Sequence, residues 1–257
     1  MNQAFEDYYR DLYGTRWTNL RKALLETNLS VPFNSPRLVS PYYMDPASVR
    51  AAESLRLAES GTIFDACAAP GGKSLVIAAS LPPGAFLAAN ELSRERRRRL
   101  LNVLDSHLSG EDRARVTVSG FDAASLGGKA DYRERFSGAL LDAPCSSERH
   151  VIQNEKALSR WTAARPRFLA QRQWALLSSC FLMLKPGASL VYATCAISAE
   201  ENDGVAEKLL AKYGNRAAFD PPDFSEGEQT RFGRIILPDR SGGSGPLYVA
   251  RFIKGMS

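Results

Sequence analysis

The amino-acid sequence predicts an α/β protein with a mostly parallel sheet and an antiparallel hairpin at its carboxyl-terminal edge. From residue 46 onwards, short apolar segments alternate with amphipathic helical segments, the pattern of a parallel sheet covered by helices on both faces. The last two apolar segments, GRIILP and GPLYVARF, have only the turn-rich DRSGGS between them. Since no helix carries the chain across the sheet here, these segments should pair antiparallel.

The strands and helices follow in a regular order. GTIFDACAAP is typical of a buried strand and leads into the helical GKSLVIAAS, after which GAFLAANE predicts a second strand. Ser93 is a suitable N-cap for the helix in SRERRRRLLNVLDSHL. RVTVSGFD and SGALLDAP predict two more strands, PRFLAQRQWALLSSCFLML a long helix and GASLVYATC the fifth strand. A helix that begins at Ser198, with acids in its first turn, should follow.

Length and composition indicate one large domain with a small appendage. The 257 residues are 44% hydrophobic and 24% charged, which is a globular composition. Residues 1–45 should form an amino-terminal appendage of two short helices, followed by VPFNSPRLVSPYYMDP, in which four prolines should prevent regular structure. Residues 46–257 should form the main domain. The excess of 33 lysines and arginines over 28 acids permits a nucleic-acid partner without requiring one.

Cysteine and histidine usage excludes several classes of protein. The four cysteines contain no Cys-x-x-Cys pair, and only two histidines are present, so no metal site is expected. Four cysteines in so long a chain do not form the framework of a small secreted module, which favours a reducing, cytoplasmic compartment. No apolar run approaches the ~20 residues that span a bilayer. We therefore expect a cytoplasmic monomer with no membrane partner.

The loop in FDACAAPGGKS joins the first strand to its helix and predicts a ligand site, because glycines let backbone N–H groups approach a ligand closely. Its end, Gly72-Lys73-Ser74, is similar to a phosphate-binding loop, but that motif needs a glycine where Cys67 stands. The dinucleotide fingerprint G-x-G-x-x-G is absent as well. An ATP- or NAD-binding enzyme is therefore disfavoured.

Three acids lie at or just beyond the ends of successive predicted strands: Asp65, Glu91 and Asp122. In a parallel sheet they would face one crevice, where acids suit a ligand with ribose hydroxyls, an adenine amine and a positive charge. S-adenosylmethionine has all three of these features. The alternative is that the acids only cap helices or solubilise strand ends.

Two cysteines lie at the ends of the fourth and fifth strands, Cys145 in LLDAPCSSERH and Cys195 in YATCAIS. Each is either an inert buried thiol or a reactive one, and a helix beginning near Ser198 is a candidate for lowering a thiol pKa. A thiolate added to carbon 6 of cytosine makes an enamine whose carbon 5 can attack a methyl group. Asp142 is placed to stabilise charge at ring nitrogen N3, and a second thiol can assist release. These residues alone do not indicate which thiol attacks.

Three segments, DACAAPGGKS, DAPCSS and YATCAISAEEN, resemble the signature motifs of the Sun/Fmu family of RNA cytosine-5 methyltransferases, and the resemblance extends from YYMDPAS to GPLYVARF. It implies a Rossmann-like, seven-stranded methyltransferase fold over residues 46–257, with S-adenosylmethionine as cofactor and RNA as substrate. It also implies three roles in catalysis. Cys195 is the nucleophile, Cys145 assists product release and Asp142 is the catalytic aspartate.

The cofactor residues implied by the resemblance lie in the first loop and after the next two strands. Glu91 matches the acid that binds the ribose, and Asp122 matches the acid beside the adenine. Cys67 is expected to be a small apolar filler. The full predicted cofactor site is Cys67, Ala68, Ala69, Pro70, Gly71, Gly72, Lys73, Glu91, Arg96, Asp122 and Asp142.

One motif departs from the common pattern of the family. Most relatives continue the Pro-Cys motif as Ser-Gly-x-Gly, whereas this chain has CSSERH, which is closer to the Thr-Thr-Asp-Arg-His of the mitochondrial ribosomal-RNA branch. We expect substrate choice to differ from that of other branches because of this loop. The chain leaves no room for a separate RNA-binding module, so the RNA should be selected by the domain surface, residues 1–45 or a protein partner.

Arginines near the thiols are predicted RNA contacts, together with two tryptophans that either stack on bases or pack in the core. The basic run SRERRRRL spreads around its helix and is better explained as a solvated surface. Cys180 should be a packing residue. The candidate RNA contacts are Arg149, His150, Arg160, Arg165, Arg167, Arg172, Trp161 and Trp174.

The sequence therefore predicts an S-adenosylmethionine-dependent RNA cytosine-5 methyltransferase, with ribosomal RNA favoured as substrate. One alternative is a transfer-RNA methyltransferase. The other is a methyltransferase-like RNA-binding assembly factor with little turnover. The intact motifs argue against this last alternative, because a scaffold needs neither the two thiols nor Asp142.

Overall fold

The computed structural model describes residues 2–256, and its first elements are the two predicted amino-terminal helices. Helix α1 spans Gln3–Tyr13 and α2 spans Trp17–Leu25, with a 3₁₀ turn at Gly14–Arg16 between them. The ring of Phe5 in α1 packs edge-on against Trp161, with ring centroids 5.1 Å apart. The amino-terminal helices therefore share an apolar core with the rest of the chain.

Short strands occupy the proline-rich segment, so the prediction that it lacks regular structure is wrong. Strand β1 (Val31–Phe33) pairs antiparallel with β2 (Tyr42–Met44), and Pro32 lies opposite Tyr43. In a two-stranded ribbon both strands are edges. A proline is tolerated there because its missing N–H can be at a position that faces away from the partner strand.

The remaining elements alternate as the sequence predicts. The helices are α3 (Pro46–Glu53), α4 (Gly72–Ser80), α5 (Arg94–His107), α6 (Gly110–Ala114), α7 (Ala123–Leu126), α8 (Glu148–Gln153), α9 (Glu155–Ser159), α10 (Arg165–Met183) and α11 (Asp203–Tyr213), with 3₁₀ turns at Ala130–Tyr132 and Gly214–Arg216. The strands are β3 (Ser60–Asp65), β4 (Gly84–Asn90), β5 (Val116–Ser119), β6 (Phe136–Asp142), β7 (Leu184–Thr194), β8 (Ala217–Phe219), β9 (Glu228–Gln229), β10 (Arg234–Ile236) and β11 (Leu247–Lys254).

The main sheet has the order β5-β4-β3-β6-β7-β11-β10-β9, and β8 pairs with β11. Strands β3 to β7 are parallel, while β11 runs antiparallel to both β7 and β10. The predicted α/β class, with its parallel sheet and antiparallel carboxyl-terminal hairpin, is confirmed. The sheet has nine strands rather than seven because the short β8 and β9 extend its antiparallel end.

Both faces of the sheet are buried, which explains why its strands are continuous apolar segments in the sequence. Neighbouring residues of a strand enter different cores: Ile63 packs on one side of the sheet and Phe64 on the other, and the same holds for Leu140 and Leu141. Because β3 to β7 are parallel, their carboxyl ends lie at one edge of the sheet. The loops that carry the predicted site residues therefore meet at this edge.

Candidate active site

The backbone of the loop after β3 packs so closely against neighbouring side chains that two of its positions have no space for a Cβ atom. Gly71 has a φ of +125°, which favours glycine, and a Cβ there would lie 2.9 Å from Cγ1 of Val103. A Cβ on Gly72 would lie 2.8 Å from Cε1 of Tyr42. Gly71 thus brings the loop against α5 and Gly72 brings it against β2, and Gly72 lines a small cavity at the amino end of α4 together with Tyr42.

Two adjoining cavities hold the three predicted strand-end acids. The outer cavity, of about 420 Å³, is lined by Glu91 and Asp122, and the middle cavity, of about 90 Å³, is lined by Asp65. Cys67 lines both cavities, so the predicted apolar filler is part of the wall between them. The acids lie at or just beyond the ends of successive strands, as predicted, but they line two adjoining cavities rather than one crevice.

A third cavity, of about 380 Å³, continues beyond the middle one and contains Cys195; we call it the thiol cavity. Its wall shares Ser48, Lys73 and Asp142 with the middle cavity. The predicted cofactor residues and the predicted catalytic residues therefore line connected spaces, with Lys73 and Asp142 at the junction.

The strand-end acids differ in their surroundings. Asp65 is fully buried, which raises its pKa to about 7, although the hydroxyl of Ser74 donates a 2.7 Å hydrogen bond to it. Its Oδ1 atom has no hydrogen-bond partner among residues 2–256. Asp122 is half-exposed, and the bond from Arg172, at 2.6 Å, lowers its pKa. Asp122 therefore stays charged, while Asp65 can carry a proton near neutral pH.

Arg96 joins the first loop to Glu91, the acid predicted to bind the ribose. Its guanidinium donates to the backbone oxygen of Ala69 at 2.7 Å and lies 3.2 Å from a carboxylate oxygen of Glu91. The other oxygen of Glu91 accepts from the backbone N–H of Ser93, the residue that caps α5 as predicted. The arginine thus holds the loop and the acid together at the outer cavity.

The two predicted catalytic thiols are in contact. Strands β6 and β7 are parallel neighbours, and the chain just beyond them places the Sγ atoms of Cys145 and Cys195 3.0 Å apart. The hydroxyl of Ser147 lies 3.3 Å from Cys195 Sγ and 3.5 Å from Cys145 Sγ. The two thiols meet at the ends of neighbouring strands, as predicted, and of the two it is Cys195 that lines the thiol cavity.

The two thiols are not equivalent. A hydrogen bond from Cys145 lowers the pKa of Cys195, more than burial raises it, and Ser147 adds to the lowering. The same contact, together with burial, raises the pKa of Cys145 well above its ordinary value. The positive charge of Lys73 also acts on Cys195. These opposite shifts make Cys195 the more acidic thiol of the pair.

Lys73 and Asp142 form an ion pair between the middle cavity and the thiol cavity. The ammonium group donates to Asp142 Oδ2 at 2.7 Å and to the hydroxyl of Ser48 at 3.2 Å. Burial alone would lower the pKa of Lys73, but the charge and hydrogen bond of Asp142 outweigh it and raise the pKa. A fixed positive charge therefore lies beside the predicted catalytic aspartate.

The helix after β7 begins at Asp203 rather than at Ser198, so the predicted start of this helix is wrong. The Ser198 hydroxyl accepts from the backbone N–H of Glu201 at 3.3 Å and closes a separate turn. Asn202 then bonds through its side chain to Thr194. Local side-chain bonds compete here with continuing the helix. The lowered pKa of Cys195 comes from its hydrogen bonds with Cys145 and Ser147.

Two buried acids that bond to the loops of the thiols, Glu148 and Glu201, were not predicted from the sequence. Glu148 accepts from the hydroxyl of Tyr9 at 2.6 Å and from the backbone N–H of Ile197 at 3.1 Å. Glu201 accepts from the backbone N–H of Ser146 at 2.9 Å. The Ser146 hydroxyl contacts both carboxyl groups. These bonds join the loop of Cys145, the loop of Cys195 and helix α1.

The surroundings of Glu148 and Glu201 raise the pKa of both carboxyl groups. Burial raises the pKa of Glu148, and burial together with the charge of Glu148 raises the pKa of Glu201 to about 7. The single hydroxyl proton of Ser146 cannot serve two carboxylates at once. Both shifts favour the protonated form, and Glu201 can carry a proton near neutral pH. The sequence contains these acids as Glu148 in CSSERH and Glu201 in SAEEN. Their position in a loop and at a predicted helix start gives no sign that they are buried.

The predicted RNA contacts lie in different surroundings. Arg149 and His150 line the thiol cavity, as their positions in the sequence suggested. Arg172 instead pairs with Asp122 at the outer cavity, and Trp161 is buried in the aromatic core with 3% exposure. Cys180 is fully buried, as predicted for a packing residue. The other predicted contacts, Arg160, Arg165 and Arg167, are exposed, and Trp174 is half-buried.

The basic run on α5 is only partly a solvated surface. Arg97 donates to the backbone oxygen of Glu91 at 2.8 Å, and Arg96 donates to the backbone oxygen of Ala69 in the first loop.

Across residues 2–256, no group of histidine, cysteine, aspartate and glutamate side chains could hold a metal ion. None of the helices in that range combines the length and apolar character that crossing a membrane requires.

Comparison with known proteins gives consistent matches. Ribosomal RNA small subunit methyltransferase F of Aeromonas hydrophila is 41% identical over 160 residues, which are 62% of this chain and 32% of that protein. The protein of the same name from Vibrio vulnificus is 34% identical over 181 residues, or 70% of this chain and 37% of that protein. This chain thus aligns with about one third of the length of these relatives.

Solved structures share the fold. A methyltransferase homologue from Pyrococcus horikoshii aligns with 96% of this chain and 93% of its own, with a TM-score of 0.73 and 21% identity. NSun6 from the same organism, solved with the compound SFG, aligns with 88% of this chain and 57% of its own, with a TM-score of 0.70 and 22% identity. The model of the family described as 16S rRNA methyltransferase RsmB/F matches residues 52–253. The chain belongs to this RsmB/F family of methyltransferases, which confirms the resemblance seen in the three motifs.

Proposed function

We propose that this protein transfers a methyl group from S-adenosylmethionine to carbon 5 of a cytosine in RNA, with small-subunit ribosomal RNA as the substrate. The observation that carries this proposal is the thiol pair, 3.0 Å apart, beside the ion pair of Lys73 and Asp142. The names of the bacterial relatives support ribosomal RNA over transfer RNA. The likeness of CSSERH to the mitochondrial branch stays a prediction.

The cofactor of this family is S-adenosylmethionine, and the outer and middle cavities fit it. It supplies a methyl group on a positively charged sulfur. Asp65 has a buried oxygen without a partner in residues 2–256, and such an atom suits a cationic or hydrogen-bonding ligand. Glu91 would hold the ribose hydroxyls, and Asp122 the adenine amine. Lys73 separates this space from the thiols.

Cys195 begins the reaction as a thiolate. Its sulfur forms a bond to carbon 6 of cytosine, the electrons of the C5–C6 double bond move towards N3, and N3 takes a proton from a water molecule. Asp142, fixed by Lys73, accepts a hydrogen bond from that N3–H and so stabilises the adduct. Carbon 5 is now electron-rich enough to attack the methyl group. The residues of the thiol cavity thus activate the base, and those of the outer and middle cavities orient the donor.

Cys145 acts in the last step. A water molecule accepts the proton on carbon 5, the C5–C6 double bond forms again, the Cys195 sulfur departs with its bonding electrons, and N3 returns its proton to solvent. Cys145 keeps its proton because its pKa is raised, and its sulfur touches Cys195. A hydrogen bond from Cys145 to the departing sulfur lowers the energy of that thiolate.

Alanine variants of the two thiols test the assignment. Cys195→Ala should abolish methyl transfer to in vitro transcribed small-subunit RNA, because no enamine can form. Cys145→Ala should accumulate a covalent protein–RNA adduct, visible as a slow band in denaturing gels, and the double variant should lack it. Near wild-type methylation by Cys195→Ala, or an adduct that persists in the double variant, would show that the nucleophile is assigned wrongly.

Bisulfite sequencing of RNA from cells with and without the gene identifies the substrate. Loss of a mark in ribosomal RNA supports the proposal, and loss in transfer RNA replaces the substrate. Loss of no mark would favour an assembly factor. We propose further that the protein works as a cytoplasmic monomer, and that Arg149 and His150 meet the RNA beside the target base. Selection of the RNA would involve helices α1 and α2 or a protein partner.

A further inference from the structure

Ser147 has an unusual backbone conformation between the two thiol loops. Its φ and ψ are +54° and +59°, in the left-handed region that glycine adopts freely and other residues adopt at a cost. It lies at the amino end of α8, where a serine side chain normally caps the helix. Within the described chain the Ser147 side chain makes no such capping bond.

The hydroxyl of Ser147 is directed at the thiols instead. It lies 3.3 Å from Cys195 Sγ, 3.5 Å from Cys145 Sγ and 3.4 Å from the backbone oxygen of Cys145. Sulfur is a larger atom than oxygen, so these sulfur distances are within hydrogen-bonding range. The left-handed backbone is what turns the side chain back towards the loop that precedes it.

We infer that Ser147 is a catalytic residue in its own right, which donates its hydroxyl proton to the thiolate of Cys195 and holds that sulfur in place for attack. The inference rests on the proposed role of Cys195 as nucleophile. Cys145 and Ser147 together give the thiolate two donors, in the way that other anionic nucleophiles are stabilised. When Cys195 is bound to carbon 6, the hydroxyl turns to the backbone oxygen of Cys145.

Two substitutions separate the hydroxyl from the backbone. Ser147→Ala removes the hydroxyl and keeps a side chain in the left-handed conformation, whereas Ser147→Gly removes the hydroxyl and the backbone cost together. If the hydroxyl matters, both variants should have the same defect. If only the backbone conformation matters, Ser147→Gly should equal the wild type or exceed it.

The readout is the pH dependence of Cys195 alkylation by iodoacetamide, followed by peptide mass spectrometry of the full-length protein. Loss of one hydrogen bond to an anion should move the midpoint of the profile upwards by about one pH unit in both variants, a roughly tenfold slower reaction near neutral pH. Ser159→Ala is the matched control, because among residues 2–256 that exposed hydroxyl bonds only to the backbone oxygen of Lys156.

Alkylation needs neither RNA nor cofactor, so its outcome is independent of whether Cys195 attacks cytosine. A Ser147→Gly profile that overlays the wild type would overturn the inference. So would a shift in Ser147→Ala alone. In methylation assays both variants should lower the single-turnover rate about tenfold and leave the dissociation constant of S-adenosylmethionine unchanged. A changed dissociation constant with an unchanged rate would assign Ser147 to cofactor binding and contradict the inference.

Discussion

The two halves of the site are built by different means. The cofactor half, formed by the outer and middle cavities, is made largely from one loop and the residues that directly follow β3, β4 and β5. The thiol half is made from two loops that are about 50 residues apart in sequence and is supported by Tyr9 from α1, which lies 139 residues before its partner Glu148. The first half consists mainly of consecutive residues after three strands, with Arg172 added from α10, whereas the second depends on buried side-chain hydrogen bonds between α1 and the two thiol loops.

This difference has an energetic consequence. Backbone N–H groups in a glycine-rich loop need only the correct turn, and a single substitution there disturbs one wall. The thiol half contains buried acids whose oxygens must all find donors, and removal of one partner leaves the others unpaired. We therefore expect substitutions in the thiol half to affect folding and reactivity together, and substitutions in the cofactor half to affect binding of the cofactor alone.

The largest effect is expected at the junction of the halves. Asp142→Asn keeps the size of the side chain but removes the negative charge that Lys73 holds and that faces N3. Methyl transfer in single-turnover assays should fall by a factor of about 10² to 10⁴, the range typical of a lost acid or base. The dissociation constant of S-adenosylmethionine, from calorimetry, should change only a few-fold.

A matched control is Asp203→Asn, because that carboxylate bonds to Thr230 and Tyr248 and lies outside the three cavities. It should keep methyl transfer close to that of the wild type. If Asp142→Asn instead loses cofactor binding in proportion to its rate, then Asp142 belongs to the cofactor half, and the division between the halves is wrong at this residue.

The next effect concerns the support under the thiols. Glu148→Ala leaves the hydroxyl of Tyr9 and the backbone N–H of Ile197 without their buried acceptor. We expect a loss of about 3 kcal/mol in the free energy of unfolding, from urea titrations, and a lower rate of Cys195 alkylation. Glu148→Gln can still accept from one group and donate to hydroxyls, so it should lose about 1 kcal/mol or less.

Exposed Glu155 is the comparison for this change, and Glu155→Ala should be within about 0.5 kcal/mol of the wild type. The dissociation constant of S-adenosylmethionine should stay the same in all three variants. A Glu148→Ala protein that is as stable as the wild type would mean that water replaces the carboxyl group and that α1 does not support the thiols.

The same division explains what the sequence could and could not predict. The strands, the first loop and the acids at strand ends were predicted because each depends on residues close together in the chain. The parallel sheet and its final antiparallel hairpin followed from the spacing of apolar segments, whereas the order of the strands in the sheet was not predicted. Glu148 and Glu201 were missed because a buried acid is recognisable only from its partners, and Tyr9 is too distant in sequence to suggest itself. The start of α11 was wrong for a related reason, since Glu201 bonds inwards instead of opening a helix.

The pH dependence of stability sharpens the comparison further. Burial raises the pKa of Glu201 from 4.5 to about 7. A raised pKa in the folded state means that its stabilising contribution is complete below pH 4.5 and is lost as the pH rises through about 7. The free energy of unfolding should therefore fall between these values, by an amount on the order of 2 kcal/mol.

Glu201→Gln should flatten much of that decline. The remaining amide oxygen can accept from the backbone N–H of Ser146, and its NH₂ group can donate to the hydroxyl of Ser198, so the fold has a satisfied neutral group in place of the acid. Asp65, whose pKa burial also raises to about 7, keeps part of the slope in this variant. Urea titrations from pH 4.5 to 8 measure both proteins, and identical slopes would exclude Glu201 as the titrating group.

The smallest effect is expected in the cofactor half. Asp122 and Arg172 are both partly exposed, at 41% and 38% of the side chain, so their ion pair contributes little to folding. Asp122→Asn should weaken S-adenosylmethionine binding about threefold to fivefold in calorimetry, since an amide oxygen can still accept from the adenine amine. Cys195 alkylation should be unchanged, because Asp122 contacts neither thiol loop. A slower alkylation in this variant would mean that the two halves are coupled, and that the outer cavity influences the thiols through the shared wall at Cys67, Lys73 and Asp142.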